Sequence, residues 1–429
     1  MIANLFSRTK KWLSGSPQAV NYGIDGILVA GALSVASNNN NLFALRLGAT
    51  DLQLSMLQFL PAILTVILLI PAGILADSLK NKRRMMTLLL VLAGVFFITV
   101  SLSPLLQAHN VYFFLIFLAL ALISANGMYN LAWQAFFPEV VKEESRNSVL
   151  TFRARMTMLV SLIVPLAVGT ILTAIPSYDG RILAHQGFYI LAGVMLLINV
   201  LHIKKLKAVV PAMPKKVSLA EIKVAGSRLI RNKQFIIFTL AILFFHMAWH
   251  IDWTLYFIGQ ANYLQMNAFF LSLTPVSGMV AQLITLKFWS KRNTKHGVDS
   301  SMTFGIFGLV VNPIAIIVGI ALPHPFGIAA FLTLHFIAML SFANITLTLF
   351  QCLLKVVDTE YRSVFISIYT CLITLSNGVM PVLGVMLYQS LGSNARALQH
   401  AFAIVFVIRI IAGLVWIARL KYVKSAGVI

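Results

Sequence analysis

Two histidines, an aspartate and four aromatic residues lie within the apolar stretch HMAWHIDWTLYF, residues 246–257. A buried carboxyl group such as that of Asp252 can bind and release protons near neutral pH, because burial disfavours its charged form. His246 and His250 titrate in the same range. The same carboxylate could instead attract a cationic compound between aromatic walls. The aromatic residues that would form those walls are Trp249, Trp253 and Tyr256.

A metal site is a third interpretation of this stretch. His246 and His250 are four residues apart and share one face of a helix. Asp252 lies about 160° away from His250 around an ideal helix, so the three side chains converge only if the helix breaks. We therefore expect no metal site here, and no cofactor elsewhere.

The stretch also divides into two faces. The polar and amphipathic residues share an arc of about 160°, whereas Ile251, Leu255 and Ile258 occupy the other side. Ionisable residues within a membrane usually serve function, and polar groups there need partners. We therefore expect Asp252 to face a water-filled cavity.

The composition places this stretch in a membrane. Of the 429 residues, 59% are hydrophobic and only 10% are charged, whereas soluble proteins carry about 25% charged residues. The net charge of +21 does not indicate nucleic-acid binding, because the basic residues form short clusters between long apolar runs. The lipid bilayer is the expected environment.

Apolar runs of about 20 residues predict twelve membrane-crossing helices, called spans one to twelve. Of the 33 lysines and arginines, 29 fall at segments that lie on one side if both termini are cytoplasmic. This excess orients the chain in the cell membrane with both termini inside. The spans are 20–46, 52–76, 85–108, 111–137, 149–174, 182–203, 234–258, 263–287, 301–322, 326–352, 364–389 and 397–420.

The longest inner loop divides the spans six and six. We expect an N-terminal six-helix half at 1–203, a basic linker at 204–233 and a C-terminal six-helix half at 234–429. Within the linker, the segment SLAEIKVAGSRLIR alternates apolar and basic residues at helical spacing. It predicts a short amphipathic helix on the inner membrane surface, with a solvated linker helix as the alternative.

A shift of 216 residues aligns EVVKEESRNSV with KVVDTEYRSVF, which indicates a repeated half. After span two, the segment GILADSLKNKRR places a glycine, an aspartate and a basic cluster in order. Twelve spans, a central basic loop and this segment together resemble the major facilitator superfamily, in a transporter of bacterial type. The resemblance implies an all-α membrane fold of two pseudo-symmetric halves. The serine after the aspartate departs from the family pattern.

By this resemblance, charges at the cytoplasmic helix ends hold the inner side closed. A role as mere markers of the inner surface is the alternative. The predicted gate residues are Gly73, Asp77, Arg83, Arg84, Glu144, Arg146, Glu360 and Arg362.

The resemblance also implies that spans one, four, seven and ten line a central cavity. Each of the four carries polar residues along one face, and hydrogen bonds that hold the helices together are the alternative for spans four and ten. In span seven the predicted cavity residues are His250, Asp252, Trp249, Trp253 and Tyr256. Those of the other three spans are Asn39, Asn40, Asn126, Asn130, Gln134, Ser341, Asn344, Thr348 and Gln351.

Two further ionisable residues that could serve function lie within spans. Asp25, in span one, is either a second coupling carboxylate or an acid paired with a cytoplasmic arginine. Arg409, in span twelve, is isolated in sequence from any acid, and we expect it to snorkel or to make a structural pair. Asp252, Asp25 and His246 are the candidates for proton coupling.

The leading functional hypothesis is a secondary transporter that exports an amphiphilic or cationic compound in exchange for protons. Uptake of a polar solute such as a sugar is the alternative, and a non-transporting membrane sensor is a second. The chain lacks H-E-x-x-H, G-x-S-x-G and a phosphate-binding loop, so we do not expect an enzyme. The expected partners are a small-molecule substrate, protons and lipid, for a chain that acts as a monomer.

Overall fold

The structure, a computed structural model, describes residues 17–37, 39–79, 81–208, 224, 227–357 and 362–425. Within these residues the fold is helical, without strands. Twelve helices are long and apolar enough to cross a membrane. Their outward surfaces carry large apolar side chains such as Ile67, Leu88 and Ile284, which suits contact with lipid. The all-α fold with twelve spans is confirmed.

The chain divides into two compact units. One contains the described residues before Ala49 and those between Leu64 and Lys216, and the other contains Ala49–Ile63 and the described residues after Val217. The first unit holds Pro17–Ser37 and Asn40–Arg46 (span one), Lys82–Val100 (three), Asn110–Leu122, Ile123–Met128 and Tyr129–Val140 (four), Glu143–Ala174 (five) and Tyr178–Lys205 (six). Span two, Asp51–Ser78, has residues in both units.

The second unit holds spans seven to twelve. They comprise Lys233–His250, Trp253–Ile258 and Gly259–Tyr263 (seven), Ala268–His296 (eight), Val298–Gly308 and Val311–Ala321 (nine), Phe326–Val356 (ten), Arg362–Ser390 (eleven) and Ala395–Ser425 (twelve). The predicted amphipathic helix of the linker lies largely outside the described residues, of which Val224 and residues 227–231 are helical.

Side-chain caps start several spans. Asn81, Ser177, Asn232 and Asn267 each accept a hydrogen bond from the backbone N–H three residues later, at 3.0–3.2 Å. Such a cap satisfies one of the N–H groups that a helix start leaves unpaired. Amide and hydroxyl residues therefore fix where spans three, six, seven and eight begin.

Within the described part of the chain, three spans are interrupted and span four is widened. Span one breaks at Asn39, span seven at Ile251 and Asp252, and span nine at Leu309 and Val310. Span four stays helical but widens at Ile123–Met128 into a turn with longer hydrogen-bond spacing. Interruptions of this kind free backbone polar groups, which other parts of the protein must satisfy inside a membrane.

Candidate functional site

The break in span seven determines the surroundings of Asp252. The first helix of this span ends at His250 and the next begins at Trp253. Carbonyl groups at the end of the first helix therefore lose their partners in the next turn. Asp252 precedes the second helix, but its side chain makes no capping hydrogen bond to it.

The carboxylate of Asp252 is held by Arg409, from the middle of span twelve. Nη2 of Arg409 lies 2.9 Å from Oδ1 and 2.7 Å from Oδ2 of Asp252. Both side chains are buried, with 5% of Arg409 and none of Asp252 exposed. Hydrogen bonds between two charged groups of this kind are stronger than those between neutral groups.

The same guanidinium also donates hydrogen bonds to backbone carbonyls at two helix breaks. Its Nε donates to the carbonyl of Ala248 at 3.1 Å, at the end of the first helix of span seven. Its Nη1 donates to the carbonyl of Leu309 at 2.9 Å, at the break in span nine. The guanidinium lies 4.7 Å from the ring centre of Trp249. Arg409 therefore joins three spans, and Asp252 supplies its counter-charge.

This arrangement differs from the expectation that Asp252 faces water. The carboxylate is enclosed because an arginine 157 residues away reaches it, a pairing that helical spacing does not reveal. Arg409, which was expected to snorkel or to make a pair, forms an ion pair with Asp252.

The remaining span-seven residues pack against each other and against span eleven. Nδ1 of His250 lies 3.1 Å from Oγ of Ser376 and is hydrogen-bonded to it. The ring of His250 is 5.1 Å from that of His246 and 4.7 Å from that of Trp253. The ring of Tyr256 packs against that of Phe402 in span twelve.

The second buried acid, Asp25, is also paired. Its Oδ1 accepts hydrogen bonds from the hydroxyl of Tyr129 at 2.5 Å and from Nδ2 of Asn199 at 2.8 Å. Its Oδ2 accepts one from Nε of Arg153 at 3.2 Å. Asp25 is fully buried, whereas the side chain of Arg153 is 20% exposed. Spans one, four, five and six thus converge on one carboxylate.

Sequence reasoning missed three of these residues. Arg153 was counted among the basic residues that orient the chain, because it lies near the predicted start of span five. Tyr129 is one residue from Asn130, and Asn199 is a lone amide in the apolar span six. A lone amide in such a run was the available signal, because it needs a partner inside the membrane.

The amide faces of spans one and four differ in burial. Asn39 and Asn40 are buried, and Oδ1 of Asn40 accepts a hydrogen bond from the hydroxyl of Tyr189 at 2.6 Å. In span four, Nδ2 of Asn130 donates to the side chain of Asn126 at 2.9 Å, while Asn126 and Gln134 are exposed.

Span ten presents a similar contrast. Nδ2 of Asn344 donates to the carbonyl of Ser301 in span nine, and Thr348 contacts Sδ of Met302 at 3.1 Å. Ser341 also lies against span nine, beside Gly308, whereas Gln351 is exposed. Asn344 and Thr348 therefore contact span nine, as the alternative of hydrogen bonds between helices expects, while their assignment to a cavity stays a prediction.

Ion pairs lie at the helix ends that the charge distribution assigns to the cytoplasm. Nζ of Lys82 is 2.5 Å from Oε1 of Glu139, joining spans three and four. In the second unit, Asp299 of span nine contacts Nζ of Lys355 in span ten at 2.7 Å and Nη1 of Arg419 in span twelve at 2.8 Å.

The two sets of pairs are related by the sequence repeat. Glu139 and Lys355 are equivalent under the shift of 216 residues, and each pairs with the start of the preceding span. The sign of the charges is reversed between the two units.

Of the predicted gate residues, three have described side chains. Nη1 of Arg83 donates to the carbonyls of Lys204 and Leu206. Nε of Arg146 donates to the carbonyl of Val141 at 3.2 Å. Arg84 is exposed. The side chains outside the description are those of Gly73, Asp77, Glu144, Glu360 and Arg362.

Histidine, cysteine, aspartate and glutamate form no group of three suited to a metal ion within the described part of the chain. The break in span seven does not bring Asp252 to the two histidines, because Arg409 holds both of its oxygens.

Comparison with known proteins agrees with this architecture. The nucleoside transporter NupG superposes with a TM-score of 0.72 at 13% identity, over 95% of this chain and 100% of that one. A D-xylose–proton symporter gives 0.66 at 14% identity, over 93% and 96%, and a bacterial metal transporter gives 0.66 at 12% identity, over 94% and 98%. At these identities the likeness concerns the fold alone.

None of the curated proteins compared with the chain matches it in sequence. The sequence profile of the Major Facilitator Superfamily, however, matches residues 23–375. That match covers well over half of the chain and includes spans from both units. The chain therefore belongs to the major facilitator superfamily.

Proposed function

We propose that the protein is a secondary active transporter that moves a small molecule across the cell membrane by alternating access, driven by protons that bind at Asp25. The geometry of Asp25 carries this proposal. Its carboxylate is fully buried inside a membrane-crossing helix and its arginine partner is partly exposed. Acids buried within membranes are costly, and they commonly serve ion or substrate movement.

Asp25 suits this role better than Asp252. A proton on Asp252 would leave Arg409 charged and buried without its counter-ion, while that guanidinium still holds two helix breaks. A proton on Asp25 also leaves its partner Arg153 charged. One fifth of the Arg153 side chain is exposed, so water or a substrate can compensate that charge. The arginine charge left behind is therefore better compensated at Arg153 than at Arg409.

Uptake of a polar solute is favoured over export of a cation. The carboxylate of Asp252, the expected attraction for a cation, is already occupied by Arg409. In contrast, Asn126, Gln134 and Gln351 are exposed within membrane-crossing helices. Lipid cannot satisfy the hydrogen bonds of an amide side chain, so we expect these three amides to face a polar environment and not the lipid. The proton symporter among the structural neighbours fits this direction.

Proteoliposomes that enclose a pH-sensitive dye test the proposal. Nucleosides, sugars, peptides and small carboxylates are added outside in turn, and acidification of the lumen is followed. We expect at least one class to carry protons inward with the wild-type protein but not with Asp25→Asn. Asp179→Asn, which changes an exposed acid at the start of span six, is the matched control.

Three results would contradict the proposal. Solute uptake without acidification would exclude proton coupling. Equal acidification by the wild type and Asp25→Asn would remove Asp25 from the coupling step. Absence of flux for every class would favour a non-transporting protein.

A further inference from the structure

The surroundings of Arg153 contain more hydrogen-bonding capacity than the described structure uses. The hydroxyl of Tyr22, Nε1 of Trp133 and the hydroxyl of Thr157 are buried without a partner among the described residues. Leaving a buried polar group unpaired costs about 1–3 kcal/mol, and such groups call for an explanation. Three such groups beside the Asp25–Arg153 pair indicate a bound molecule that supplies the missing hydrogen-bond partners.

These groups surround the guanidinium. Arg153 lies over the ring of Trp133, 4.4 Å from its centre. The ring of Tyr22 meets that of Trp133 edge-on at 5.7 Å. Arg153 and Thr157 lie one turn apart and both border Gly26, where an added Cβ would come within 2.7 Å of Cγ of Arg153. The absence of a side chain at Gly26 makes room for the arginine.

Arg153 and Arg409 differ in how many hydrogen bonds their guanidinium groups donate. Arg409 donates to three backbone carbonyls in addition to Asp252. For Arg153, Asp25 is the sole hydrogen-bond partner among the described residues, at 3.2 Å. Each of the three side-chain nitrogens of Arg409 therefore donates within the protein, whereas Arg153 retains a nitrogen without a partner among the described residues.

We propose that Arg153, Trp133 and Tyr22 form a binding site for a small monocarboxylate, which opens when a proton neutralises Asp25. This inference rests on the proposed function and identifies its substrate class. Neutral Asp25 no longer balances the charge of Arg153, so one negative charge is needed in its place. A guanidinium binds a carboxylate through two parallel N–H donors.

The neighbouring groups select among anions. One uncompensated positive charge matches a monoanion, and a dianion would leave a net charge inside the membrane. The N–H of Trp133 and the hydroxyl of Tyr22 can donate to carboxylate oxygens, and their rings offer an apolar surface to the rest of the molecule. The site therefore fits a carboxylate on a short, partly apolar body.

Coupling follows from the same geometry. The proton and the carboxylate assist each other, because each removes the charge that disfavours the other. Ligands that bind cooperatively cross together, so the transporter would work as a symporter. A proton gradient directed inward would then drive uptake.

Other ionisable groups near Asp25 must be separated from it in a pH experiment. Tyr22 precedes it by one turn in span one, and Tyr129 donates to it from span four. From span six, Nδ1 of His202 lies 3.3 Å from Oδ1 of Asn21. Glu139 of span four is already paired with Lys82. An ordinary imidazole titrates in the range of interest, so His202 needs its own variant.

Binding to the purified protein in detergent tests the site without transport. The probes are sodium lactate, which is ionised at about pH 5.5 and about pH 7.5, and lactamide, its uncharged counterpart. For the wild type we expect lactate to bind more tightly at the lower pH, by up to about tenfold per pH unit for one linked proton. Lactamide should bind at neither pH.

Substitutions test which residues are responsible for lactate binding and for its pH dependence. Asp25→Asn imitates the protonated acid and should bind lactate equally at both pH values. Arg153→Gln should abolish binding, and the charge-balanced pair Asp25→Asn with Arg153→Gln should do so in a protein that retains its fold. Arg155→Gln, an exposed arginine on the same helix, should bind as the wild type does. His202→Gln should keep the pH dependence.

Three outcomes would overturn the inference: no lactate binding by the wild type or Asp25→Asn, binding that survives both Arg153 variants, or equal binding of lactamide. Proton-coupled flux of an uncharged solute without lactate binding would leave the proposed function intact and refute this site. Lactate binding as described, but without flux in proteoliposomes, would support the site and refute transport.

Discussion

A single nitrogen of Arg409, Nη2, lies within 2.9 Å of both carboxylate oxygens of Asp252. The contact links the middle of span twelve to the break in span seven. This contact explains why an acid is buried in the aromatic stretch of span seven. The acid neutralises an arginine that the interrupted helices need for their backbone carbonyls.

Asp252→Asn should destabilise the protein strongly. The substitution leaves Arg409 charged, buried and without a counter-ion, and breaking a buried pair in this way costs about 3–5 kcal/mol. The free energy of unfolding in mixed detergent measures the loss. Combining it with Arg409→Gln should recover part of the stability, since no unpaired charge remains. An Asp252→Asn protein as stable as the wild type would show that the pair is not structural.

Tyr129→Phe should weaken the first unit through Asp25. The hydroxyl donates to the buried carboxylate at 2.5 Å, and a hydrogen bond to a charged group contributes about 1.5–3 kcal/mol. Tyr112→Phe, which changes an exposed tyrosine in the same span, should alter stability by less than about 0.5 kcal/mol. Equal effects of the two substitutions would contradict the assignment.

Two glycines of span six should respond to alanine with opposite signs. A Cβ on Gly193 would lie 2.6 Å from Cγ1 of Ile98 and crowd the backbone of Gly94 in span three, whereas one on Gly187 meets nothing within 4 Å. Gly193→Ala should therefore destabilise by about 1–3 kcal/mol through overpacking. Gly187→Ala should stabilise by up to about 1 kcal/mol, because alanine favours helix. Thermal unfolding of both variants checks the difference, and a shared sign would argue against the close crossing of spans three and six.

Exchange of charges should preserve the pair between spans three and four. Lys82→Glu places two acids together at a buried contact and should lower stability by about 3 kcal/mol. Adding Glu139→Lys restores opposite charges at the same positions. The double variant should therefore recover most of the loss, as a coupling energy in a double-mutant cycle. If the two effects were simply additive, the 2.5 Å contact would contribute nothing.

Apolar runs predicted the number of spans correctly because length and hydrophobicity follow from the bilayer alone. The ends were less accurate. Span eight was expected at 263–287, but its helix is Ala268–His296. The run was ended at Lys287, whereas a basic helix end can extend beyond the hydrocarbon and stay helical.

Pairings were the part that the sequence could not supply. Helical spacing assigns Asp252 to a face but does not say which residue lies opposite, and Arg409 is 157 positions away. Arg153 was taken only as a marker of orientation, because charge counting treats each basic residue alike. Its role became visible only when spans one and five were brought together, with Asp25 and Arg153 in contact.

The reversed charges of the two inner ion pairs bear on how a duplicated chain assembles. With the same polarity in both halves, span three could pair as well with span ten as with span four. In this chain that exchange would bring Lys82 against Lys355, and Asp299 against Glu139. Like charges in a buried contact repel, so each span is directed to the partner from its own half while the helices associate. Reversed polarity thus gives two similar halves a means of avoiding exchange of their helices during folding.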